Sequence, residues 1–177
     1  MAKQSAKIKF TAYVGTSIDG IIAKSSTSSN KWASKEDQKF FKNALWKHDI
    51  FIVGRNTYRI TKKSLDKRNT LVITSKVSKP KQSGSVTFFN PARTNIIDFL
   101  HKNKYKKPTI LGGGAVYNYF LEHKMLNILW VTIEPYVFTS GVRMFAGNIF
   151  KMHKFILLSV KKLNKRGTLL LKYKNAN

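Results

Sequence analysis

Asp37 stands in the stretch KWASKEDQKFFKNALW (residues 31–46), three residues after Ser34. A Ser followed by an acid at that distance resembles the start of a capped helix, and taken alone it makes Asp37 a first-turn residue. On a helix, however, positions 37, 40, 41, 44 and 45 share one face, and the other four are Phe40, Phe41, Ala44 and Leu45. An acid on an apolar stripe turns toward the interior. Desolvation there disfavours its charged form, which suits it to holding and delivering a proton. Asp37 is therefore expected to handle protons rather than only to cap a helix.

Glycines mark a second kind of chemistry. In TILGGGAVYNYFLEHK (109–124) a short apolar run ends at Gly112-Gly113-Gly114, and a helical pattern follows. A helix N-terminus attracts phosphate through unpaired N–H groups and the helix dipole, and glycine lets a ligand approach the backbone. FIVGRNTY (51–58) repeats the arrangement at another strand end, with Gly54, Arg55, Asn56 and Thr57. The planar Arg fork suits phosphate. A third strand end, VITSK, offers Thr74, Ser75 and Lys76. Each stretch is also readable as an ordinary turn, since the spacings match neither the dinucleotide fingerprint nor the phosphate loop. SIDGIIA (17–23) puts Asp19-Gly20 where a turn into a short strand would have them.

The elements that must hold these residues alternate. Strands are expected from KIKFTAYV, DIFIVG, NTLVITS, SVTFF, PTILG and LNILWVTIEPYV, the last broken by Pro135. Helices are expected over residues 34–48, in ARTNIIDFLHKN and in GAVYNYFLEHK, while RNTY reads as a turn. KSSTSSNK (24–31) reads as a surface loop, and HKFILLSVKKL with GTLLLKYK as a closing hairpin. Alternating strands and helices indicate an α/β fold with a mostly parallel sheet covered on both faces. One domain is expected at 177 residues.

Composition narrows the function. There is no cysteine, so no disulfide framework, thiolate metal site or cysteine nucleophile, and the four histidines lack paired ligand spacing. No window approaches the roughly 18 apolar residues of a membrane span, and the basic start has no apolar run behind it, so a cytoplasmic protein off the membrane is expected. With 33 Lys and Arg against 8 Asp and Glu, the net charge is +25. Such a charge suits anionic ligands and nonspecific anion binding, but the basic residues are spread along the chain with no aromatic-interleaved nucleic-acid motif.

Taken in order, SIDGIIA, Trp32-x4-Asp37, VGRNTY, NTLVITS, LGGGAVYNYFL and LWVTIEP resemble the dihydrofolate reductase superfamily, which includes dihydrofolate reductase and the reductase domain of riboflavin biosynthesis. The resemblance covers roughly residues 7 to 150. It implies a three-layer dihydrofolate reductase-like fold and NADPH as cofactor. By the same resemblance, Gly54, Arg55, Asn56 and Thr57 and the run Gly112, Gly113, Gly114, Ala115, Val116 and Tyr117 would hold the phosphates. Thr74 would add to them, and Arg55, Ser75 and Lys76 would favour the 2′-phosphate. Val14, Gly15 and Ile22 would line the nicotinamide. Asp37 falls on the acidic active-site position, with Phe41 against the substrate and Thr132 supporting the acid.

The substrate implied is a pyrimidine or a pterin. Ser17-x-Asp19-Gly20-x-x-Ala23 and EPYVFTSGVRMF resemble the riboflavin-type and standalone reductases, and 5-amino-6-(5-phosphoribosylamino)uracil reductase is slightly favoured. Dihydrofolate reductase is the alternative, and RITKKSLDKRNT departs from the riboflavin enzyme's usual stretch. From another class, a non-catalytic basic module binding polyanions is weighed against both. No metal is expected, and the resemblance allows a homodimer.

Overall fold

The computed structural model describes residues 8–28, 31–147 and 149–176. Two of its inner strands have no exposed side. Ile50 to Val53 are all buried in β3 (Ile50–Gly54), as are Thr70, Leu71 and Val72 in β4 (Thr70–Ile73). Such runs belong to a parallel sheet covered on both faces. β1 (Phe10–Thr16) lies between β7 (Pro108–Ile110) and β8 (Leu126–Ile133), parallel to both. Beyond β7 follow β3, β4 and β6 (Val86–Phe89), with the short β5 (Lys81–Ser83) antiparallel at the edge. Beyond β8 the hairpin of β10 (Phe155–Lys162) and β11 (Leu169–Asn175) closes the sheet, β11 antiparallel to β8. The order is β10-β11-β8-β1-β7-β3-β4-β6-β5, and β2 (Ile21–Ala23) with β9 (Val142–Arg143) forms a separate ladder.

Alternation along the strands builds two cores. Ile50 and Ile52 face one side and pack with Ile96 and Leu100 of α3 (Ile96–Lys102) and Val116 and Phe120 of α4 (Gly114–Glu122). Phe51 and Val53 face the other, with Leu45 of α1 (Lys35–Leu45) and Tyr58 and Leu65 of α2 (Arg55–Leu65). Helices thus cover both faces, and the three-layer architecture holds.

The largest departure from the sequence reading is α2, where only a turn was expected. Its buried residues are Tyr58 and Leu65, seven apart, so it lacks a continuous apolar stripe. Its C-terminal end is tied instead by polar contacts: the Tyr58 hydroxyl donates to Asp66 at 2.7 Å, and Lys62 pairs with Asp66. α1 ends at Leu45 rather than His48, and β8 stops at Ile133, ahead of Pro135. Of the loop 24–31, Ser29 and Asn30 lie outside the described residues, as does Lys7 at the expected start of the first strand.

Candidate active site

β1, β3, β7 and β8 are parallel, so their carboxyl ends share one edge of the sheet, the place where such sheets bind ligands. A cavity of about 550 Å³ opens there. Phe40 and Phe41 of α1 line it, with Ile60 and Leu65 of α2 and Tyr13, Trp130 and Thr132 of the sheet. It brings together the expected Val14, Gly15, Ile22, Asp37, Phe41, Thr57, Gly112, Gly113, Tyr117 and Thr132. A larger cavity of about 670 Å³ on the opposite face, by α4 and β11, holds none of them.

Asp37 lies in the first turn of α1 and its side chain is buried. Ser34 is the N-cap, and its hydroxyl accepts from the Asp37 amide at 3.3 Å. The Asp37 side chain turns inward, leaving the residue 8 % exposed. Burial pushes its carboxyl above the usual range, a hydrogen bond from Thr132 draws it back, and the charge of Glu134 raises it further. Its Oδ2 lies 3.4 Å from where a Cβ on Gly15 would stand, so a bulkier residue 15 would crowd the acid.

The three glycines of the second turn have separate reasons. Gly112 has φ of +110°, a conformation L side chains rarely adopt. A Cβ on Gly114 would lie 2.5 Å from the Arg143 carbonyl, so the fold itself excludes a side chain there. Gly113 has neither constraint. Its Cβ would meet only Thr57 Oγ1 at 3.4 Å, and the residue lines the cavity. Gly54 adjoins this turn, its amide donating to the Gly112 carbonyl at 2.7 Å.

Neither α2, with N-cap Gly54, nor α4, with N-cap Gly113, has a side-chain cap. Two helix N-termini therefore lie side by side with donors to offer, an arrangement that fits phosphates. The expected cradle is narrower than Gly112 to Tyr117, because the Val116 and Tyr117 amides already donate to the Gly113 carbonyl at 2.9 and 3.1 Å. The Tyr117 hydroxyl is also committed, donating to the Tyr13 carbonyl at 2.6 Å, and burial holds it well above the usual phenol range. Among the described residues, the Gly114 and Ala115 amides donate to no acceptor. Of the expected residues, Gly54, Arg55, Asn56, Thr74, Ser75, Lys76, Gly114, Ala115 and Val116 do not line the cavity. The β3–β4 register pairs Gly54 with Ile73, so Thr74 follows on the strand beside the α2 turn.

Asp19 has a structural role. It accepts from Ser17 at 2.5 Å and from the Thr139 amide at 2.8 Å, tying the SIDG turn to the loop after β8, and these bonds hold its carboxyl below the usual range.

The family model for dihydrofolate reductase matches residues 15–146. The chain belongs to the dihydrofolate reductase family. No curated protein matches it. Among solved structures it is similar to a pyrimidine reductase-like protein from Corynebacterium diphtheriae, at 17 % identity and TM-score 0.74 over 96 % of this chain and 92 % of that one. It is also similar to dihydrofolate reductase from Enterococcus faecalis complexed with NADP(H), at 22 % identity and TM-score 0.64 over 96 % and 97 %. A Thermotoga maritima deaminase and 5-amino-6-(5-phosphoribosylamino)uracil reductase matches at 13 % identity and TM-score 0.71, over 96 % of this chain and 57 % of that one.

This dihydrofolate reductase family member has cavity residues that the sequence reading passed over. Arg68 lines the cavity, and its guanidinium lies 4.0 Å from the Trp46 ring centroid and 5.6 Å from that of Phe51. Trp46 is the C-cap of α1, so Arg68 stands by the end of the helix opposite Asp37, and the axial rise from residue 37 to residue 46 is about 14 Å at 1.5 Å per residue. Tyr13 bonds His48 Nε2 at 3.1 Å and stacks on Trp130. Glu134, which does not line the cavity, is 2 % exposed. A glutamate inside the apolar run LWVTIEP was the available signal for it; nothing local marks Arg68 among its neighbouring cations.

Proposed function

We propose that the protein is an NADPH-dependent reductase of a dihydropterin with an acidic tail, and that dihydrofolate is the substrate the cavity suits best. One observation carries the choice: the cavity follows α1 from the Asp37 carboxyl to the Arg68 guanidinium. Phe41, Leu45, Ile60 and Leu65 line it on the way. A flat ring system at Asp37, an aromatic linker along these apolar walls and a carboxylate at Arg68 match that sequence of surfaces.

The uncapped N-termini of α2 and α4, joined through Gly54 and Gly112, suit the phosphates of a dinucleotide. Arg55, Ser75 and Lys76, which follow the carboxyl ends of β3 and β4, suit the 2′-phosphate. NADPH, when bound, supplies the hydride. The chain's own residues do the rest. Asp37 holds a proton for the ring nitrogen, directly or through water, as the adjacent carbon is reduced. Thr132 orients that carboxyl, and the aromatic walls exclude solvent. Cytoplasmic residence accompanies this reading, and the positive surface attracts anions without selecting among them.

The likeness to the Corynebacterium protein, the larger of the two full-length TM-scores above, favours a second reading, a pyrimidine carrying ribose phosphate. Its sugar would lie against Thr61 and Ser64, and its phosphate at Arg68. NADPH oxidation followed spectrophotometrically with dihydrofolate and with 5-amino-6-(5-phosphoribosylamino)uracil decides between them. The expected kcat/KM is at least about 100-fold higher for dihydrofolate, the scale of discrimination set by a few well-placed contacts. The reverse order overturns the choice, and no turnover of either leaves the non-catalytic reading.

A further inference from the structure

The cavity of about 670 Å³ beside α4 has the sheet as its floor: Leu129 and Val131 of β8, Leu171 and Tyr173 of β11, and Phe155 of β10. These strands adjoin in register. Leu129 stands opposite Tyr173 and Tyr173 opposite Leu157, while Val131 stands opposite Leu171 and Leu171 opposite Val160. A bulge between Leu157 and Ser159 resets the alternation, so that Val160 rather than Ser159 joins this face. Along these rows the one charged residue is Lys162, at the end of β10, whereas the reverse face of the same strands bears Lys161, Lys172 and Lys174. In a chain of net charge +25, an apolar face three strands wide is not explained as solvated surface.

The same surface is open, and it carries a projection. Leu157 and Val160 are 49 and 55 % exposed, and around the cavity Ile18, Ile149 and Phe150 are 62, 73 and 96 % exposed. At on the order of 200 Å² for a large side chain, these five leave on the order of 600 Å² of apolar surface in water. That is the top of the range for a monomer before the cavity walls are counted, and it approaches the roughly 800 Å² per partner of a standard interface. Residues 1–7, which lie outside the described ones, offer Met1 as their one large apolar side chain.

We propose that this face is where a second copy of the chain docks, Phe150 of each copy entering the cavity of the other about a twofold axis. An isologous interface must be complementary to itself. This patch meets that requirement, because one surface holds both a projecting aromatic ring and an apolar hollow beside it. Its charges also permit self-pairing. Besides His153, the ionisable side chains of opposite sign that line the hollow are Glu122 and Lys151, and the sheet face adds no cation where two bodies of +25 would meet. An acidic partner would find its cations on the reverse face instead. Docking of this kind does not depend on the reductase reading.

Sedimentation of the full chain across a concentration series tests this. The parent is expected to dimerise, and more tightly with added salt, which screens the repulsion between two basic bodies. Phe150→Asp, at a side chain almost wholly in solvent, should fold and raise the dissociation constant at least about 100-fold, as loss of a central aromatic anchor does. Ile156→Lys, on the reverse face of β10, should leave the constant unchanged. An unchanged constant in Phe150→Asp, or a loss as large in Ile156→Lys, points to pairing along the β10 edge and overturns the proposal. A monomeric parent overturns it too, whether the face then proves to seat a different protein or a small apolar molecule. As the chain has no cysteine, Val160→Cys gives a single thiol. Its labelling should slow as the protein concentration passes the dissociation constant, and a rate independent of concentration overturns the assignment of this face.

Discussion

The Gly54 amide donates to the Gly112 carbonyl at 2.7 Å, and that one backbone bond brings together the helix N-termini that begin α2 and α4. Gly113, beside it, lines the cavity, whereas Gly114 is closed off by the Arg143 carbonyl. The adjacent glycines should therefore respond differently to substitution. Gly113→Val is expected to fold and to lose NADPH affinity by tenfold or more, because its branched side chain occupies the approach to the amides. Gly114→Ala should lower stability by about 1–3 kcal/mol through overpacking. Thermal melts and calorimetric titration with NADPH on both variants check this, and an unchanged affinity in folded Gly113→Val would return that glycine to a plain turn.

Arg55, Ser75 and Lys76 should make the protein prefer NADPH to NADH. Arg55→Ala removes a charge-assisted bond contributing about 1.5–3 kcal/mol, so the preference should narrow roughly 10- to 150-fold. Equal affinities in the parent protein would sink the 2′-phosphate assignment.

Asp37→Asn separates chemistry from structure. Turnover should fall about 10²–10⁴-fold with NADPH affinity nearly unchanged. The sign of the stability change follows from burial, which raises the folded-state carboxyl above its unfolded value. The native state then binds the extra proton between the two values, and stability falls as pH rises through that window. Above it the buried charge is a cost that asparagine lacks, so Asp37→Asn should melt higher than the parent at neutral pH and lose that advantage in acid. Melting curves across pH test this, and a lower Tm at neutral pH would mean that Asp37 serves α1 mainly as a helix-start residue.

Arg68→Gln should raise the KM for dihydrofolate about 10- to 100-fold with little change in kcat, since the lost contact lies by the C-cap of α1, at the far end of that helix from Asp37. A substrate lacking the terminal carboxylates should show no such difference between parent and variant. An unaltered KM for the intact substrate would remove Arg68 from the site.

Nonspecific association with nucleic acid, driven by the +25 charge, should weaken steeply with added salt. Filter binding at two salt concentrations suffices. Tight, sequence-selective binding at physiological salt would favour the polyanion-binding reading instead.

Local pattern was enough for the architecture and for the burial of Asp37. Period-two and buried runs mark the strands, and an acid on the stripe of Phe40, Phe41, Ala44 and Leu45 marks itself, because helical spacing alone decides which side chains share a face. The motif order also sufficed for the family. Residues whose reason comes from a distant part of the chain could not be read this way. α2 was missed since Ile60 faces the cavity instead of the core, leaving no apolar periodicity to find. Three identical glycines proved unequal because only packing reveals that Arg143 crosses over Gly114 and leaves Gly113 open. Arg68 and Glu134 are placed by contacts with Trp46, Ser34 and Thr168 that no local pattern shows. A side chain's charge is written locally, but its solvation and its partners depend on which elements the sheet brings together, and so the tertiary structure alone decided which cation lines the cavity beside Asp37 and which second acid is buried.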